Sequence, residues 1–124
     1  RFDLSSGILI KDNHIRSAGS ISKALEKIDR QNWIELEVDT FEQIYEGLDN
    51  NVDGFLLDNM PPSKIKKAVD IIRSHNSGDK LFIEASGGIN LDNIIPYLGT
   101  GVDAISIGAL THQIKSCDIK LEFK

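Results

Sequence analysis

Residues able to do chemistry recur at one kind of place in this chain: directly after, or at the end of, a short apolar run. Lys11, Asp12, Asn13 and His14 follow Gly7-Ile8-Leu9-Ile10, and Glu37 lies near the end of the run from Trp33 to Val38. Asp58-Asn59 follow Gly54-Phe55-Leu56-Leu57, Glu84 and Ser86-Gly87-Gly88 follow Leu81-Phe82-Ile83, and Gly108-Ala109 follow Ala104-Ile105-Ser106-Ile107. A carboxylate pair such as Glu37 and Asp58, carried on neighbouring elements, can hold Mg2+ through water or accept hydrogen bonds from sugar hydroxyls. Glycine turns let backbone N–H groups approach a phosphate, and the N-terminus of a following helix adds favourable charge. Lys11 offers a cation for a phosphate or carboxylate oxygen.

Each feature also has a plainer reading. Glu35 and Glu37 alternate with aliphatic residues as they would on a half-exposed edge strand. Asp58-Asn59 suits a capping turn before Pro61, and Lys11 suits a lysine snorkelling from a strand end. His14 fits a structural hydrogen bond better than a metal ligand, and His75 and His112 look like helix-end residues. Lys64, Lys66 and Lys67 read as a solvated face, and Cys117 as buried packing.

The elements that must position these groups follow from periodicity. The first five apolar runs are short, rich in Ile, Leu and Val and bounded by Gly, Asp or Asn, which predicts buried parallel strands. A sixth run, Ile119 to Phe123, comes near the end of the chain. Helix-period segments lie between them. Ala24, Leu25 and Ile28 share a face after Ser20 and Ser22, while Phe41, Ile44, Tyr45 and Leu48 follow a Thr40/Gln43 capping box. Pro61-Pro62 open a helix with Ile65, Ala68, Val69 and Ile72 inward. Leu91, Ile94, Ile95 and Leu98 predict a shorter helix after Asn90, limited by Pro96.

Strands alternating with helices make βα units with right-handed crossovers, hence an α/β fold. An open doubly wound sheet and a barrel both fit. A full (β/α)8 barrel takes about 250 residues, so residues 1–124 would form half to two-thirds of a TIM-like barrel, truncated at its N-terminus. The raw strand edges of such a piece would need an upstream segment or a partner chain to cover them. No repeat, linker or low-complexity stretch divides the chain. In parallel α/β folds ligands bind at the carboxyl ends of the strands, which is where the polar residues gather.

Composition narrows the function classes. The 124 residues are 40% hydrophobic and 27% charged, with 14 basic against 19 acidic side chains and a net charge of −5. That balance argues against a nucleic-acid-binding surface. No apolar stretch is long enough to span a membrane. A single cysteine fits a reducing compartment and excludes an internal disulfide.

The same residues carry a family pattern. Leu9-Ile10-Lys11-Asp12-Asn13-His14-Ile15, Glu35-Leu36-Glu37-Val38, Leu56-Leu57-Asp58-Asn59-Met60 and Glu84-Ala85-Ser86-Gly87-Gly88-Ile89 occur in order. Gly101-Val102-Asp103 and Ile107-Gly108-Ala109-Leu110-Thr111-His112 follow them. Together these closely resemble the C-terminal region of the quinolinate phosphoribosyltransferases, the carboxylating nicotinate-nucleotide pyrophosphorylases, over nearly the whole chain. The resemblance implies transfer of phosphoribose from phosphoribosyl pyrophosphate to quinolinate, with pyrophosphate and CO2 released and nicotinate mononucleotide formed, in NAD biosynthesis. It implies Mg2+ as cofactor, a homodimer or higher homo-oligomer that completes the site, and a cytoplasmic location.

Carried over by residue, Lys11, Glu37 and Asp58 would be catalytic. Glu37 and Asp58 would hold ribose hydroxyls and the metal, possibly through water, and Lys11 would neutralise substrate carboxylate or phosphate oxygens. Ser86, Gly87, Gly88, Gly108 and Ala109 would cradle the 5′-phosphate, and Arg1 would grip a quinolinate carboxylate. The family's usual glycine and acidic residue are replaced by Asp3 and Ser6. With the upstream basic segment and N-terminal domain outside these residues, the 124-residue chain alone is expected to be inactive. Three rivals stand beside this reading: a non-decarboxylating relative, a phosphate-binding module without catalysis, and a Schiff-base aldolase using Lys11.

Overall fold

A computed structural model describes residues 7–29, 31–108 and 119–122. Its strands are β1 (Gly7–Ile10), β2 (Trp33–Val38), β3 (Gly54–Asp58), β4 (Phe82–Ser86), β5 (Ala104–Ile107) and β6 (Ile119–Glu122). Between them run α1 (Asp12–Ala18), α2 (Ile21–Glu26), α3 (Phe41–Asp49), α4 (Pro62–Arg73), a 3-10 turn (Gly78–Lys80) and α5 (Ile95–Leu98).

The sheet order is β1-β2-β3-β4-β5-β6. β1 to β5 are parallel, and β6 joins β5 antiparallel. A strictly sequential parallel order repeats one crossover sense and keeps the helices on one side, as in a barrel. A doubly wound sheet would reverse its order at a switch point; the described strands do not. The expected partial α/β barrel is therefore the fold.

Side-chain alternation divides the sheet into two faces. Ile34, Leu36 and Val38 of β2, Phe55 and Leu57 of β3, Ile83 and Ala85 of β4, and Ile105 and Ile107 of β5 belong to the core shared with the helices. The opposite parity, Trp33, Glu35 and Glu37, then Gly54, Leu56 and Asp58, then Phe82, Glu84 and Ser86, then Ala104 and Ser106, forms the inner wall. Trp33 and Phe82 meet edge to face there, 5.9 Å between centroids. β2 is an interior strand with Glu35 only 6% exposed, so the half-exposed edge reading of its glutamates is set aside.

Local signals explain the long helices. The Thr40 hydroxyl accepts from the Gln43 N–H, while the Gln43 side chain accepts from the Asp39 and Thr40 N–H groups. Pro62 begins α4 where no N–H is needed, and Ile65, Ala68, Val69 and Ile72 are buried as their spacing predicts. Ser20 caps α2 by accepting from the Lys23 N–H. Ser22 lies inside that helix, where its hydroxyl accepts from Asn50.

α3 meets the sheet through Gly47. A Cβ there would lie 2.6 Å from Phe55 Cε1 and 2.8 Å from Leu36 Cδ2, two side chains with no exposure and no room to retreat. Alanine normally gains about 0.5–1 kcal/mol over glycine within a helix, but overpacking a rigid core costs about 1–3 kcal/mol. Gly47→Ala is therefore expected to destabilise the fold by about 1–2 kcal/mol, the balance of those effects. A chemical-denaturation midpoint unchanged or raised relative to wild type would contradict this.

The structure departs from expectation in the 91–98 helix, which contracts to Ile95–Leu98. The Asn90 carboxamide oxygen accepts from the N–H groups of Asp92 and Asn93, an arrangement that competes with helix formation. Ile94 is buried, but Leu91, Ile95 and Leu98 are 58%, 74% and 48% exposed. Lys66 and Lys67 are solvated, whereas Lys64 donates to the Asp39 carbonyl at 3.0 Å and sits over the Phe41 ring.

Two aspartates pin the amino ends of the strands. Asp53 donates its N–H to the Ile34 carbonyl at 2.8 Å, and its carboxylate accepts the Ile34 N–H at 2.7 Å. Asp103 repeats this with Ile83, and its carboxylate also takes Arg73 at 2.9 Å. Arg73 in turn donates to the carbonyls of Gly78 and Leu81. This stitching leaves the carboxyl ends of the strands to carry loops.

Candidate functional site at the strand carboxyl ends

Inner-wall parity brings the acidic residues together. Glu37 and Asp58, from adjacent strands, line one small recess with Val38, Asp39 and Gln43. Asp39 continues the parity of Glu35 and Glu37, and its backbone is fixed by the α3 capping box. Asp39 is not among the candidates drawn from the sequence, although extending the Glu35/Glu37 alternation by one step reaches it.

The electrostatics of this corner are readable at Asp58. Its carboxyl is held above the usual carboxylate value first by burial and then by repulsion from Asp39, with attraction to Lys11 partly offsetting both. Lys11, exposed at the end of β1, is thus close enough to act on Asp58. A carboxylate that resists ionisation beside another carboxylate favours an approaching cation or hydroxyl donor. Among the described residues, no group of three or more His, Cys, Asp or Glu side chains is disposed to hold a metal ion.

The glycine turn packs directly on this corner. Ser86 is the register partner of Asp58, and its carbonyl accepts the Asn59 N–H at 3.0 Å. Asn59 adopts a left-handed conformation at φ 55°, which asparagine tolerates, and its amide donates to the Asp58 carboxylate at 3.3 Å. Gly87 has φ +88°, and a Cβ on it would fall 2.5 Å from Asn59 Oδ1 and 2.8 Å from Asp58 Oδ1. Glycine is needed there for both backbone and space. A Cβ on Gly88 would meet nothing within 4 Å.

Neighbouring segments tie the turn down. The Gly88 carbonyl accepts from the Asn93 amide, and the Ile89 carbonyl accepts from the Gly108 N–H at 3.1 Å. Gly108 thus lies beside the turn as expected, but its N–H is engaged within the protein. What it leaves open is side-chain space. No helix begins directly after Gly88; the four residues of α5 start only at Ile95. One rung below Ser86, Glu84 is 4% exposed and accepts the Ser106 hydroxyl at 2.6 Å. Arg1, Ala109, His112 and Cys117 lie outside the described residues, and His14 stands in the first turn of α1. His75 follows α4, where its Nδ1 accepts the Ser77 N–H.

Sequential parallel strands, with a lysine, an acidic pair and a glycine turn at their carboxyl ends, define the class: an α/β-barrel domain with its polar residues gathered at that rim. The chain matches the model of the quinolinate phosphoribosyl transferase C-terminal domain over residues 1–122, and it belongs to that family. It is 42% identical over 127 aligned positions to a protein of Methanocaldococcus jannaschii named as a probable nicotinate-nucleotide pyrophosphorylase (carboxylating), covering 98% of this chain and 45% of the relative. It is 38% identical to the nicotinate-nucleotide pyrophosphorylase (carboxylating) of Mycobacterium leprae, covering 98% of this chain and 43% of that one. The crystal structure of nicotinate-nucleotide pyrophosphorylase from Ehrlichia chaffeensis superposes with a TM-score of 0.75 at 45% identity, covering 95% of this chain and 42% of that one. The chain therefore spans less than half the length of these relatives. No described helix is long and apolar enough to cross a membrane.

Proposed function

We propose that the full-length protein containing this chain transfers phosphoribose from phosphoribosyl pyrophosphate to quinolinate. The quinolinate nitrogen forms a bond to the anomeric carbon as the bond to pyrophosphate breaks. The carboxylate on the ring carbon adjacent to nitrogen then departs as CO2, that ring carbon keeps the bonding pair and takes up a proton, and nicotinate mononucleotide remains. The observation that carries this reading is the contact of the Gly87 turn with Asp58. It sets a candidate phosphate cradle directly beside a carboxylate able to hold ribose hydroxyls.

Each residue has a distinct task in this scheme. Glu37 and Asp58 accept hydrogen bonds from the ribose hydroxyls and place negative charge near the cationic anomeric centre as the leaving bond lengthens. Lys11 neutralises a substrate carboxylate or phosphate oxygen and tempers the charge on Asp58. Ser86, Gly87 and Gly88 receive the 5′-phosphate, and Gly108 and Ala109 are assigned to the same group. Arg1 presents a planar guanidinium to a quinolinate carboxylate. Mg2+ suits the acidic corner, where Glu37 and Asp58 would hold it through water; when bound it neutralises the departing pyrophosphate. The working form is a homodimer or higher homo-oligomer in the cytoplasm.

The test is Mg2+-dependent pyrophosphate release by the full-length protein, with quinolinate and nicotinate offered in parallel and CO2 as a second readout. Release with CO2 on quinolinate alone is expected. Release on nicotinate without CO2 would move the protein to a non-decarboxylating transferase, and silence with both would leave only a binding module.

A further inference from the structure

The turn proposed to hold the 5′-phosphate is braced from outside the strand ends. Asn93 Nδ2 donates to the Gly88 carbonyl at 2.8 Å, and Asn93 Oδ1 accepts the Asn90 N–H at 2.8 Å. The orientation of the carboxamide is set by its partners. A backbone N–H can only donate and a carbonyl can only accept, so oxygen must face Asn90 and nitrogen must face Gly88. Asn90 closes the arrangement by accepting from the Asp92 and Asn93 N–H groups.

The braced peptide follows the one residue of the turn whose side-chain space is open. Ser86 is tied through its carbonyl to Asn59, and Gly87 rests on Asp58 and Asn59. Gly88 has φ +72° and nothing within 4 Å of where its Cβ would stand. Glycine in open space can rotate its flanking peptides at little cost. An anion cradle needs its N–H groups aimed before the anion arrives, because each peptide ordered on binding subtracts from affinity.

We infer that Asn93 is a positioning residue for this turn, its side-chain amide holding the Gly88 peptide so that the turn's N–H groups face the 5′-phosphate. The inference rests on the phosphoribosyl reading above and deepens it at one subsite. Asn93 touches no reacting atom. Its effect falls on affinity for the phosphate-bearing substrate.

The carboxamide's two ends allow a clean test. Asn93→Asp keeps an acceptor for the Asn90 N–H but loses the donor to Gly88, whereas Asn93→Ala loses both. Steady-state kinetics are measured on the full-length protein, with ribose 5-phosphate binding by calorimetry as a readout independent of turnover. Both variants are expected to raise KM for phosphoribosyl pyrophosphate and Kd for ribose 5-phosphate by about 3–10-fold, the worth of one hydrogen bond. The quinolinate KM should stay unchanged and kcat should fall less than twofold, roughly within the scatter of a remote substitution. The aspartate adds a charge, so both variants are measured again at high salt; screening removes an exposed Coulomb effect but not a lost hydrogen bond.

An Asn93→Asp protein with wild-type KM and Kd would overturn the inference by confining Asn93 to the Asn90 turn. A fall in kcat with unchanged KM would overturn it too. Wild-type turnover with unshifted variants defeats the inference alone. Absent turnover with variant-shifted ribose 5-phosphate binding defeats the proposed reaction and leaves the brace standing.

Discussion

Asp58→Asn, made in the full-length protein, is expected to melt above wild type at neutral pH and to turn over at about a hundredth of the wild-type rate or less, the usual scale for losing one electrostatic contact in a transition state. The two effects share a cause. Burial and the nearby Asp39 raise the proton affinity of Asp58 above its ordinary value of 3.8, with Lys11 opposing them only in part. A carboxyl whose pKa rises on folding binds its proton more tightly in the native state, so its ionisation works against the fold. That cost is fully present above the raised pKa and vanishes below the unfolded value. The stability advantage of the asparagine should therefore be present at neutral pH and fade as pH falls into the acid range through the Asp58 pKa. Asparagine retains an oxygen to accept the Asn59 amide, so the local geometry survives. Thermal melts of both proteins across pH, beside a turnover assay, check this. An asparagine variant less stable than wild type at neutral pH, or one retaining most of its activity, would contradict it.

Gly87→Ala should be the more damaging of two similar changes in the same turn. Alanine at φ +88° is strained, and its Cβ would press on Asn59 Oδ1, the Asn59 nitrogen and Asp58 Oδ1 at 2.5–2.8 Å. Relief requires either the turn to lift away or the Asp58-Asn59 corner to shift, and both separate the phosphate cradle from the acidic pair. A misplacement of about 1 Å can cost about a hundredfold in rate, so a loss of that order in kcat/KM is expected, with a lowered melting temperature. Gly88→Ala bears only the left-handed strain, because its Cβ would stand in open space. It should cost about 1–2 kcal/mol of stability and act on the KM for phosphoribosyl pyrophosphate more than on kcat. Equal behaviour of the two alanine variants would show that the contact with Asp58 and Asn59 does not matter.

Most of the frame was legible because it is written in local periodicity. β1 to β5 announce themselves as short aliphatic runs, Thr40 and Gln43 mark the start of α3, and Pro61-Pro62 mark that of α4. α1 escaped because Asp12-Asn13-His14 reads as a turn after a strand, yet it forms a helix's first turn. The 91–98 helix was overcalled because apolar spacing ignores the Asn90 and Asn93 side chains, which capture the N–H groups a helix would use. Lys11, Glu37, Asp58 and the Ser86–Gly88 turn were found by their place at strand ends. Asn59 was read only as part of a capping turn, and Asn93 was given no role. Their work is tertiary: the Asn59 N–H reaches a carbonyl 27 positions away, and Asn93 matters only because Gly88 lies beside it. The expected helix N-terminus behind the glycine turn failed for the related reason that a boundary set by side-chain capture carries no hydrophobic signature.

The division of each strand into alternate parities also bears on how such a domain can change over generations. Odd positions of β2 and even positions of β3, β4 and β5 face the inner wall, while their immediate neighbours hold the sheet to its helices. A substitution on the inner register bears first on what is bound, and one on the other register bears first on whether the chain folds. The two kinds of selection seldom fall on the same codon. A barrel rim of this kind can therefore exchange one substrate for another through isolated changes at every second residue, except where an inner-wall position also bears on stability, as at Asp58, at close-packed Gly54 and at the buried glutamates Glu35 and Glu84.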